Sequence, residues 1–91
     1  MLPVVWSAKA LEDVDGVADY ISRDNPAAAD RLTDRMFESA DGLGLRAQMY
    51  RAGRAPGTRE MIVTPNYIRV YRIDIDAVRI VRLLHATQQY P

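Results

Sequence analysis

The chain has 91 residues, 48% hydrophobic and 26% charged, with no cysteine and a formal net charge of zero. This length holds one modest core and no second one, and the composition is that of a globular protein rather than a disordered one. Without cysteine there is no disulfide framework, thiolate metal site or thiol nucleophile, and no apolar run approaches the roughly 18 residues of a membrane span.

The opening Met1–Ser7 lacks the basic and long apolar regions of a signal peptide. A cytoplasmic protein of one domain, residues 1–91, is therefore expected. Leu2 to Trp6 is short, apolar and β-branched at Val4 and Val5, which predicts a strand. Ser7 can cap a helix whose apolar positions Leu11, Val14, Ala18 and Ile21 recur at spacings of three and four. Glu12, Asp13, Asp15 and Asp19 fill the remaining positions as an acidic outer face, a pattern of a solubilising stripe more than of a metal site. Asn25-Pro26 caps and starts a second helix, with Ala29, Leu32, Met36, Ala40 and Leu43 as its stripe and Gly42 and Gly44 as its stop.

Residues 45–58 read as a long loop rich in arginine and glycine. Three strands follow, about Arg59–Thr64, Tyr67–Asp74 and Ala77–Ala86, joined by short turns that make an antiparallel meander. Neither helix can bury its apolar face alone. The predicted fold is α+β, an N-terminal strand and a helical hairpin packed on a mainly antiparallel sheet, in the order β-α-α-β-β-β.

The zero net charge hides a division. Residues 1–45 hold nine acids and four bases, and residues 46–91 hold three acids and eight bases, all eight of them arginine. Either the basic half faces an anionic partner, or acidic helices and basic strands complement each other within one fold. Arg51, Arg54, Arg59, Arg69 and Arg82 are the candidate contact residues, because a guanidinium fork suits phosphate and carboxylate. Alternation places Arg69 with Tyr67 and Tyr71 on one face of its strand, where they form either a binding surface or a solvated one. His85, the sole histidine, is the one neutral-pH proton shuttle and is either functional or a hydrogen-bonded structural residue.

The fragments Val5-Trp6-Ser7, Tyr20-Ile21, Asn25-Pro26-Ala27-Ala28-Ala29 and Gly53-Arg54-Ala55-Pro56-Gly57-Thr58-Arg59-Glu60 occur in order, followed by Tyr67, Tyr71 and His85 through Gln88. Together they resemble the RelE/ParE superfamily of small bacterial toxins, and its ParE-like branch more closely. The resemblance implies the fold derived above, growth inhibition, a cognate antitoxin as partner, and no cofactor or metal. It also implies one of two targets. ParE-like members poison DNA gyrase and have no catalytic residues of their own; Arg51, Arg54, Arg59, Arg69, Arg82 and His85 would then contact target or partner. RelE-like members cut messenger RNA on the ribosome through its 2′-hydroxyl, and Arg59, His85, Glu60 and Tyr71 would then carry cleavage. The middle-strand arginine of the nuclease members falls on Ile68 here, which cannot stabilise a phosphorane. That departure favours gyrase over the ribosome and its messenger RNA. A nucleic-acid adaptor is disfavoured because the bases lie on no recognition helix.

Overall fold

Strand β1 (Val4–Trp6) runs parallel to β5 (Val78–His85), so the first and last elements share one sheet in the computed structural model, which describes residues 1–91. Between them come α1 (Ala8–Ser22), α2 (Pro26–Glu38), α3 (Leu43–Arg46), a 3₁₀ turn (Ala47–Met49), β2 (Arg51–Ala52), β3 (Arg59–Thr64) and β4 (Tyr67–Ile73). The sheet order is β1-β5-β4-β3-β2, antiparallel except for β1 with β5. This is the expected α+β arrangement of a helical hairpin on a mainly antiparallel sheet, with three short elements added between α2 and β3.

Local chemistry starts both helices where the sequence places them. Ser7 Oγ accepts the Ala10 amide at 3.0 Å, and Asn25 Oδ1 accepts the Ala28 amide at 3.0 Å ahead of Pro26. The buried residues of α1 are the expected Val14 and, in place of Leu11, its neighbour Ala10; Leu11 is 40% exposed. The small Ala10 side chain lets α1 approach Tyr71, Val78 and Ile80 closely. A second cluster joins Val14 and Met36 to Val63 and Leu83, and Trp6 packs against both.

Two expectations for the middle of the chain are corrected. The second helix stops at Glu38 rather than continuing toward Gly42, because Arg69 donates to the carbonyl of Met36 and, at 2.8 Å, to Ser39 Oγ. A cation at this end complements the helix dipole and satisfies carbonyls that have no partner within the helix. Residues 45–58 are also not one loop. Leu43 and Ala47 bury against Tyr71, so one turn of α3 and the 3₁₀ turn form, and β2 pairs Arg51 with Glu60. Gly44 serves close approach rather than a helix stop: a Cβ there would lie 2.1 Å from the Leu2 carbonyl oxygen.

Candidate functional site

Strand alternation sends Tyr67, Arg69 and Tyr71 toward the helices, and Ile68, Val70 and Arg72 to the other side. The face carrying Arg69 is thus the covered one, which corrects its expected role as a contact residue. Arg69 has 0% exposure, with Met61 Sδ at 3.3 Å and its guanidinium 5.6 Å from the Trp6 ring centre. Burial lowers its pKa to about 10, partly opposed by Tyr50. It still carries its charge at neutral pH, and no carboxylate meets it.

The remaining arginines divide among separate places. Glu60, 3% exposed, receives Arg51 Nη2 at 3.1 Å, Arg54 Nε at 3.3 Å and the Arg54 amide at 2.9 Å. Arg54 Nη1 also reaches the Gln88 carbonyl at 3.1 Å, which ties the loop before β3 to the segment after β5. Arg59 points to the opposite side and donates to the carbonyls of Tyr50 at 2.8 Å and Gln48 at 3.1 Å. Tyr71 is fully buried and its hydroxyl donates to the Ala47 carbonyl. Burial, ahead of the opposing pull of Arg59, pushes its phenol up to about 12.

Arg82 bonds Asp13 on α1, with Nε to Oδ2 at 2.7 Å and Nη2 to Oδ1 at 3.2 Å, and this bonding raises its pKa further. Asp13 Oδ2 also accepts the Leu83 amide at 3.0 Å. The helical pattern in the sequence puts Asp13 on an acidic outer face. Nothing local distinguishes it from Glu12 or Asp15, since its partners lie about seventy positions away.

His85 is exposed at the end of β5. Its Nδ1 accepts the Thr87 amide at 3.2 Å and lies 2.8 Å from Thr87 Oγ1, which leaves Nε2 as the nitrogen bearing the proton in the neutral ring. The ring stands edge-on to Tyr67, centroids 5.4 Å apart at 84°. Both border a groove of about 510 Å³ against α1, whose other walls include Glu12, Asp13, Gly16 and Tyr20. No arginine lines it.

The four residues a nuclease would need do not converge. Arg59 pairs with Tyr71 and His85 with Tyr67, so they stand two strands apart and four residues out of step. Ordinary strand spacings put their Cα atoms roughly 16 Å apart. Glu60 lies on the face away from Tyr71 and is already held by two arginines.

The model of the family described as "ParE toxin of type II toxin-antitoxin system, parDE" matches residues 4–90. The chain is 38% identical over 87 residues to the putative toxin Y4kP of Sinorhizobium fredii, covering 94% of this chain and 90% of the relative. It is 36% identical over 88 residues to the toxin RelE2 of Caulobacter vibrioides, covering 97% and 99%. In fold it is similar to a chain of the chromosomal ParDE TA system from P. aeruginosa, at a TM-score of 0.85 and 20% identity, over 93% of this chain and 96% of the other. No helix is long and apolar enough to cross a membrane. With a family match over nearly its whole length and the strand order built above, the chain belongs to the ParE toxin family: it is a toxin of a type II toxin–antitoxin pair, whose partner is a cognate antitoxin.

Proposed function

We propose that this toxin acts in the cytoplasm by poisoning DNA gyrase, and that it does not cleave messenger RNA. The observation that carries the reading is the setting of His85. This exposed proton carrier opens onto Glu12 and Asp13, with no arginine in its groove. Cleavage through a 2′-hydroxyl needs a proton acceptor, a proton donor and cations around one phosphodiester. The Glu12 carboxylate in that groove repels the phosphate, and Arg59 is too distant to offset it. Ile68 adds support, since it sits buried between Ile62 and Leu84 where a nuclease of this superfamily would carry its cation. Poisoning gyrase, as ParE-like toxins do, requires no phosphodiester-cleaving residues of the toxin's own.

The relative named RelE2 makes a paired assay the proper test. Purified toxin is incubated with gyrase and supercoiled plasmid, and separately with translating ribosomes on a defined message. Accumulation of gyrase-cleaved DNA with intact message is the expected result. Codon-positioned cuts in the ribosomal A site, with gyrase unaffected, would overturn the proposal.

A further inference from the structure

The groove beside His85 has a chemistry that the toxin's target does not use in the reading above. Glu12, Gly16 and Tyr20 lie one helical turn apart on α1 and form one wall, and Tyr67 and His85 form the other. Tyr20 is 70% exposed, so its ring is available rather than packed into the core. Asp13 is already answered by Arg82, which leaves Glu12 as the free anion at the groove. Its side chain is 71% exposed, and its one ion pair, with Lys9 at 3.7 Å, is a surface contact of the kind worth little in water. Asp15 and Asp19 add negative charge on the same helix, and Lys9 is its only base. The groove therefore combines a carboxylate with the rings of Tyr20, Tyr67 and His85, and no lysine or arginine lines it. Aromatic faces and carboxylates both attract an ammonium or guanidinium group. Gly16 makes the room: nothing lies within 4 Å of where its Cβ would be.

We propose that this groove receives a lysine or arginine side chain of the cognate antitoxin. The volume of about 510 Å³ admits one long side chain, and the charge complementarity selects a basic one. The inference rests on the toxin's family and its antitoxin partner, and not on gyrase being the target.

The test uses the full-length toxin and, as probe, the protein encoded beside it, with Kd measured by calorimetric titration. Gly16→Trp fills the groove from a helical position where tryptophan has the higher helix propensity. Glu12→Arg reverses the free charge at an exposed site. Each variant should weaken the complex at least tenfold while keeping its melting temperature within a few degrees of the parent. Exchanging one basic residue of the antitoxin for glutamate should restore most of the affinity lost in Glu12→Arg. Unchanged Kd in both folded variants would overturn the proposal. So would losses that no charge reversal in the antitoxin restores, since these would place an apolar segment in the groove. Because the readout is antitoxin binding, a failure of the gyrase assay leaves this result standing, and the converse holds as well.

Discussion

Arg69 brings a full charge to the middle of the molecule, between two apolar clusters, with only a carbonyl, a hydroxyl, a sulfur atom and the face of Trp6 to receive it. Its Nε has no hydrogen-bond partner at all. A buried ion with incomplete partners costs folding energy, and replacing one with an apolar side chain of similar volume is often neutral or stabilising. Arg69→Met should therefore fall within about 1 kcal/mol of the parent or exceed it. Arg69→Ala, which leaves a cavity instead, should cost about 2–4 kcal/mol. Urea denaturation of the three proteins decides the matter. If methionine proves as damaging as alanine, the charge at the end of α2 is what stabilises the fold, and not the volume. Tyr71 offers a second residue-level test, through pH. Its phenol titrates near 12 when folded against an ordinary 10.0, so the folded chain holds a proton that the unfolded chain releases. That contribution is intact below pH 10 and is lost as pH rises through about 12. Tyr71 should show phenolate absorbance only in this late window, and Tyr71→Phe should abolish that step. A late step that persists in Tyr71→Phe would assign it to another tyrosine.

At the scale of elements, the contact between α1 and β5 depends on two side chains that act on exposed strand backbone. β1 ends at Trp6, opposite Ile80, so β5 continues beyond its neighbour with an open edge. Ser7 Oγ donates to the Val81 carbonyl at 3.1 Å at the point where the β4–β5 register shifts, and Asp13 takes the Leu83 amide. A helix thus does the work of a missing strand partner, and the edge is closed to stray pairing. Asp13→Ala removes the acceptor for Leu83 and strands the half-buried Arg82 guanidinium. We expect a loss of about 2–4 kcal/mol in urea denaturation. Asp13→Asn keeps an acceptor for the amide and should recover part of it. If the two variants are equally unstable, the charge on Asp13 matters and the edge amide does not.

Over the whole molecule, one ion pair, Arg82 with Asp13, joins the acidic half to the basic half, and the other arginine pairs of the basic half use its own three acids. Arg51 and Arg54 meet Glu60, Arg72 and Arg79 meet Asp74, Arg79 also meets Asp76, and Arg82 meets Asp13. Arg72, followed by Arg79, holds the Asp74 carboxyl below its usual range. Arg59 and Arg69 are taken up by backbone carbonyls. Seven of the eight arginines in residues 46–91 therefore have a partner within this chain. Of the two readings of the charge division, complementarity between the halves accounts for the one ion pair of Arg82 with Asp13.

Elements whose causes are local are legible in the order of residues alone. Ser7 and Asn25-Pro26 start the helices through bonds to amides three residues on, and period-two alternation marks β3, β4 and β5 to within a residue of their ends. The ordered fragments from Trp6 to Gln88 carried the family as well. What the sequence could not supply is which face of β4 the helices would cover, because alternation separates two faces without saying which one is wet. That choice sank Arg69 into the core, cut α2 short at Glu38 and folded residues 43–52 into short elements around Tyr71. The groove beside His85 was hidden for the same reason. Its walls are Glu12 to Tyr20 on one side and Tyr67 and His85 on the other, and only the packing of α1 against β5 brings residues so far apart in sequence within reach of one ligand.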